Sequence, residues 1–170
     1  MRGISGVVVA ALLVAVSIVA VLAFYLGIMP MLSPSTALMV HAQKLSVNYI
    51  TQSGTEYQVA TFDVRVANKA SKQLTIKTIR IQVIYSNGDT GLAEVTYDQT
   101  NGWTATNTPA GMEVSVQGSG VLNPNQAQDL LVTIKQDTTS GQIRQVVFQI
   151  VAADPAGNTY TATSEAITVT

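Results

Sequence analysis

Cysteine is absent from the 170 residues, and histidine occurs once, at His41. The first absence excludes a disulfide framework, a thiolate metal site and a thiol nucleophile. The second leaves little for acid-base or zinc chemistry, which needs several converging groups. Charge is scarce as well: Asp, Glu, Lys and Arg make up 11% of the chain, against roughly 25% in an ordinary soluble protein. The net charge is −1, and neither sign forms a run. A basic footprint for nucleic acid is missing, so no nucleic-acid partner is expected. GxSxG, HExxH and phosphate-loop patterns do not occur, and the carboxylates are scattered singly. The expectation is a protein that is not an enzyme, with no metal and no cofactor. Acceptors for asparagine-linked sugar are lacking too, because no Asn is followed at the second position by Ser or Thr. The 20 Thr and 12 Ser leave room for hydroxyl-linked glycans, which composition does not itself show.

What the chain has in quantity is apolar sequence, and it is unevenly placed. Between Arg2 and Lys44 there is no Lys, Arg, Asp or Glu. Within residues 4–28 only Ser5, Ser17 and Tyr25 carry a hydrogen-bonding side chain, and apolar residues fall on every face of a helix. Such a helix measures about 38 Å, longer than the roughly 30 Å hydrocarbon layer of a bilayer. Valine is frequent here, but lipid forces each backbone polar group to pair within its own segment, which favours helix over strand. Small residues including Gly6, Ala10, Ala11 and Ala15 would allow close approach of a second helix. Pro30 and Pro34 each remove a backbone donor and disfavour helix in the residue before, so a kink is expected there. After them Ser35 and Thr36 could cap a resumed helix, and a strand starting near Ala37 is nearly as well supported.

Three fates fit this segment. An export signal removed after Val40-His41-Ala42 would leave a chain starting at Gln43, but such signals have apolar cores of about 7–15 residues, shorter than this one. A single-span anchor meets no objection of length. The third comes from the residues in front. Arg2-Gly3, then Ile4-Ser5-Gly6 and uninterrupted apolar sequence, resembles the class III signal of archaeal type IV pilins and archaellins.

The resemblance implies a membrane peptidase cutting after Gly3, with Arg2, Gly3 and Ile4 as the processing site. The basic residue would keep the leader on the cytoplasmic side and the glycine would let backbone enter a narrow cleft. It also implies polymerisation through the apolar helix into an extracellular filament for adhesion. Val7, Ala10, Ala11, Val14, Ala15, Ile18, Val21, Leu22, Phe24, Tyr25 and Ile28 would line the filament core. The implied partners are identical subunits in a helical homopolymer, the membrane before assembly, the prepilin peptidase, and an assembly platform with its ATPase. The implied location is the cytoplasmic membrane as precursor, then the cell surface. An archaellin of a motility filament and a monomeric single-span surface protein with an immunoglobulin-like binding module are the alternatives.

From Lys44 the pattern alternates. Phe62, Val64 and Val66 share one face of a strand. Leu74 and Ile76 are in phase, whereas Ile79, Ile81, Val83 and Tyr85 take the opposite phase, which predicts a bulge near Lys77-Thr78. Ser86–Asp89 and Asp154–Asn158 read as turns. Further strands are expected around Leu92–Tyr97, Met112–Val116, Leu130–Ile134 and Val146–Ile150, with a last one in YTATSEAITVT. TNGWTATNTPAG reads as a long polar loop, where Trp103 packs beneath the loop or meets a neighbouring subunit. Seven or eight short strands predict an antiparallel immunoglobulin-like sandwich. The expected class is thus α+β: leader 1–3, hydrophobic helix 4–34, neck 35–44 with His41 as a packed neck residue, and sandwich 45–170.

Overall fold

The computed structural model describes residues 37–169. Among them, eleven strands run in chain order: β1 (Leu38–Gln52), β2 (Thr55–Asn68), β3 (Leu74–Tyr85), β4 (Thr90–Asp98), β5 (Gly102–Asn107), β6 (Met112–Gln117), β7 (Val121–Leu122), β8 (Ala127–Asp137), β9 (Ile143–Ala153), β10 (Thr159–Thr163) and β11 (Ile167–Thr168). All pairings are antiparallel. One sheet has the order β1-β2-β8-β6 and the other β10-β9-β3-β4-β5, with β7 added to β3 and β11 to β9. Numbered by position, these are the two sheets of a nine-strand immunoglobulin sandwich of the variable type, with β7 and β11 as short additions.

Alternation explains why these segments are strands. On β2, Ala60, Phe62, Val64 and Val66 are fully buried while Asp63 and Arg65 lie on the other face. Facing them across the sandwich are Ile79, Ile81 and Val83 of β3 and Val146, Phe148 and Ile150 of β9, all at 0% exposure. The two layers meet at Phe62 and Phe148, whose rings pack edge to face with centroids 5.3 Å apart. The bulge expected near Lys77-Thr78 is present, since the β3–β9 register shifts between Ile76 and Thr78. One extra residue there lets both apolar phases of β3 point into the same core.

Three expectations are corrected. The α+β class does not hold: the described residues are all-β, with no α-helix and only a single 3-10 turn at Thr138–Ser140. No helix among the described residues is long and apolar enough to cross a membrane. The expected long N-terminal helix, with the transmembrane helix and the helix-built filament core that rest on it, is not found among the described residues. The residues it was placed on, 4–34, lie outside the described residues, as do the leader 1–3 and Pro30 and Pro34. Second, most of the expected neck is strand. From Leu38 the chain pairs with β2 residue by residue, because Leu38, Val40 and Ala42 repeat with a period of two and complete the apolar layer. Third, the expected loop around Trp103 contains β5, which pairs with β4 through Trp103↔Tyr97 and Thr104↔Thr96. Apart from Trp103 and Ala105 it has no apolar residue, so an edge strand looked like a loop.

Candidate interaction surface

Polar groups inside the sandwich are used up by the fold. Gln58 of β2 is fully buried; its Nε2 donates to the Ile143 carbonyl at 3.1 Å and its Oε1 accepts from the Ile143 amide at 2.7 Å. One side chain thereby satisfies both backbone groups at the start of β9, a task that a neighbouring strand usually performs. Asn68 likewise accepts from the Ala70 amide and donates to the carbonyls of Lys72, Leu122 and Asn123. Tyr85 donates to Gln136, and burial pushes its phenol above the ordinary value. No buried side-chain nitrogen or oxygen among the described residues is left without a partner.

Asp154 shows the same economy at the β9–β10 turn. Its carboxylate accepts from the amides of Ala156 and Asn158, from Asn158 Nδ2 at 2.9 Å and from Lys72 Nζ at 3.4 Å. The Asn158 side chain does most to hold this carboxyl below the ordinary range, and the Asn158 amide and Lys72 add to it against the cost of desolvation. The contacts with Ala156 and Asn158 close the turn and Lys72 ties it to the β2–β3 connection, so the anion is spent on structure. Asp98 caps the β4–β5 turn in the same way through the Thr100 and Asn101 amides, which also lower its pKa. Among the described residues no three His, Asp or Glu side chains converge where a metal ion could be held.

What the fold leaves unsatisfied lies on the outside, at one edge. Among the described residues six large hydrophobic side chains are exposed, and four of them, Met39, Leu45, Tyr49 and Ile50, belong to β1. Strand β1 is 15 residues long and ends the sheet; among the described residues no strand pairs with its far side. A register shift between Lys44 and Ser46 marks a bulge at Leu45, which throws that side chain outward to 54% exposure. Natural edge strands are usually short, charged or interrupted by proline. This one carries only Lys44 and His41 as ionisable groups other than Tyr49.

Next to that edge, Ile50, Val59, Val114, Thr133 and the stem of Lys135 line a shallow depression of about 370 Å³, with Glu113 and Ser115 on its rim. Lys135 reaches across it, 4.2 Å above the Tyr57 ring and 3.1 Å from Gln52 Oε1. The surface suits contact with another polypeptide through backbone pairing and apolar packing.

The sequence-derived site residues fall on both sides of the described boundary. Arg2, Gly3, Ile4 and the eleven residues from Val7 to Ile28 lie outside the described residues. Trp103 is placed: it tilts against Tyr97 with ring centroids 4.8 Å apart and donates Nε1–H to the Gly118 carbonyl at 2.8 Å. Gly120 is required beside that pair, because a Cβ there would sit 2.4 Å from the Tyr97 ring. His41 stands exposed on β1 opposite Arg65 rather than packed. Missed in the sequence were Met39, Leu45, Tyr49 and Ile50. The alternation of Val47 and Tyr49 against Ser46 and Asn48 could have revealed them, had the bulge at Leu45 not broken the phase.

The strand assignment bears on the export-signal reading. A chain starting at Gln43 would lose Leu38, buried to 3%, with Val40 and Ala42 that pack on the core, and would cut β1 through its middle.

No family model matches the chain, and no curated protein does. Among solved structures, the chain is similar to Northeast Structural Genomics Consortium target SoR45, at 12% identity over 76% of this chain and 83% of that one, with a TM-score of 0.51. Weaker likenesses are to an ApaG protein from Pseudomonas aeruginosa, at 15% identity over 65% of this chain and 93% of that one, TM-score 0.36. A FixG-related protein from Vibrio parahaemolyticus matches at 14% identity over 75% and 94%, TM-score 0.31. Only the first is close enough to carry an argument, and at its identity it concerns the fold alone.

Proposed function

We propose that this chain is a structural, non-catalytic subunit of an extracellular filament of the archaeal type IV pilin kind. In this reading the apolar segment 4–28 joins the subunits, and the β-sandwich forms the outer, surface-contacting part. The observation that carries it is the order of the sequence: Arg2-Gly3 directly before 25 residues without a charge, followed by a sandwich with few charges. The segment is held at the membrane until a peptidase cuts after Gly3, and an assembly platform then adds the subunit to the growing end. Exchange of lipid for neighbouring subunits replaces one apolar environment with another, so close packing rather than hydrophobicity drives assembly. Head-to-tail contacts of this type give open polymers. Scarce charge on the outer domain lets neighbours meet without desolvating many ions.

N-terminal sequencing of the native protein tests the reading. A mature chain starting at Ile4 supports it, whereas one starting at Met1 supports a monomeric surface protein with a binding module. Val14→Asp is expected to abolish filaments seen by electron microscopy of sheared material, because a carboxylate would be trapped among apolar side chains. Normal filaments from that variant would end the packing account. An archaellin shares the same processing, and a motility assay on cells lacking the protein separates it from the adhesive form.

A further inference from the structure

The outer edge of β1, with which no strand pairs among the described residues, has a pattern that reads the same from both ends, and we infer that it is a two-fold docking edge for β1 of a second copy of this chain. The bulge at Leu45 is the centre of the pattern. Before it, Met39, His41 and Gln43 lie on the outer face, opposite Ala67, Arg65 and Asp63 of β2. After it the phase changes, and Ser46, Asn48 and Ile50 lie on that same face, opposite Thr61, Val59 and Tyr57. Two β1 strands laid antiparallel about the bulge therefore match face with face in one register. Met39 then meets Ile50, His41 meets Asn48 and Gln43 meets Ser46 on the outer face. On the inner face Val40 meets Tyr49 and Ala42 meets Val47.

Each of those pairs is apolar on apolar or polar on polar, and each occurs twice by symmetry. Cross-strand pairs of this kind are what stabilise a sheet. The one cation near the centre, Lys44, faces Leu45 rather than its own copy, so no like charges oppose each other. Shifting the register by two residues destroys the match: Met39 then faces Asn48 in one direction, and in the other it faces Gln52 while His41 faces Ile50. All four exposed large hydrophobics of β1 gain a neighbour in the matched register, and the four-stranded sheet becomes one of eight. A two-fold contact closes on itself. It joins two copies without extending a polymer, and so lies beyond the head-to-tail growth through residues 4–28.

The chain's lack of cysteine makes the test clean. Directly opposed residues of an antiparallel pair have Cα atoms about 4.5–5.5 Å apart, within disulfide reach. The full-length double variant His41→Cys, Asn48→Cys is expected to give oxidised species that stop at the dimer on a non-reducing gel. The single variant His41→Cys is expected to give none, because the two copies of position 41 lie far apart along the edge. Adding Ile50→Lys to the double variant is expected to remove the dimer band. Monomer alone from the double variant, or dimer from the single one, overturns the proposal. A ladder of multimers from His41→Cys, Glu113→Cys would instead place β6 of the next copy on this edge and would overturn it too. Carrying the double variant into the Val14→Asp background separates the two readings. A dimer without filaments supports both, a dimer with filaments refutes the packing account alone, and monomer without filaments refutes the edge pairing alone.

Discussion

Strands β1 and β2 are nearly equal in length, 15 and 14 residues, and are paired along their whole run, yet they have opposite fates. They are joined by the two-residue turn Ser53-Gly54, with both residues at positive φ, the geometry that suits a right-twisted hairpin. Strand β2 has a neighbour on each side and buries every second residue. Strand β1 has one neighbour and exposes side chains on both faces over most of its second half. The difference shows that hydrophobic content does not place a strand in the sheet interior. Leu45, Tyr49 and Ile50 are as apolar as the residues of β2, and they stand exposed because the bulge and the edge position leave them without a neighbour.

Four substitutions probe the contrast. Phe62→Ala on β2 removes the ring that links the two sheets and should cost about 3–5 kcal/mol in denaturant unfolding. Gln58→Leu should follow at roughly 2–3 kcal/mol, because it strands the amide and carbonyl of Ile143 in a buried site. A loss as small as that of a surface change would show that the start of β9 finds other partners. Asp154→Asn gauges a turn remote from both strands through its pH dependence. The carboxyl is lowered in the folded state, so its contribution is complete above the ordinary value of 3.8 and disappears as pH falls through the depressed one. The variant should therefore lose stability near neutral pH and approach the parent in acid; parallel curves would contradict that assignment. Ile50→Ala on β1 should change the stability of the monomer by less than about 0.5 kcal/mol, since its side chain is 43% exposed. A cost rivalling that of Phe62→Ala would erase the contrast between the two strands.

Tyr85 offers a complementary check at the alkaline end. Its raised phenol pKa means that the unfolded chain ionises first, so its contribution is whole below the ordinary value of 10 and fades as pH climbs above it.

Much of the sandwich was legible because half-buried strands advertise themselves through local alternation. Phe62, Val64 and Val66 did so, and the phase reversal between Ile76 and Ile79 even located the bulge of β3. Two of the four edge strands, β5 and β1, were the failures, whereas β6 and β10 were expected. Strand β5 was read as a loop since TATN has no apolar face, and β1 was read as a neck because the prolines before it and the bulge within it mask a period of two. The candidate surface followed β1 into obscurity.

Residue order alone determined the number of central strands, their inward faces, the turns at Asn87-Gly88 and Asp154–Asn158, and the long uncharged stretch at the front. These are properties of neighbours along the chain, set by pleat geometry and turn chemistry. Only the tertiary structure decided that β1 would be an edge, that Gln58 would stand in for a strand beside Ile143, and that Trp103 would lean on Tyr97 under the Gly118 carbonyl. Each of those depends on which distant segment comes alongside, and a periodicity of two says which way a side chain points without saying what it will meet.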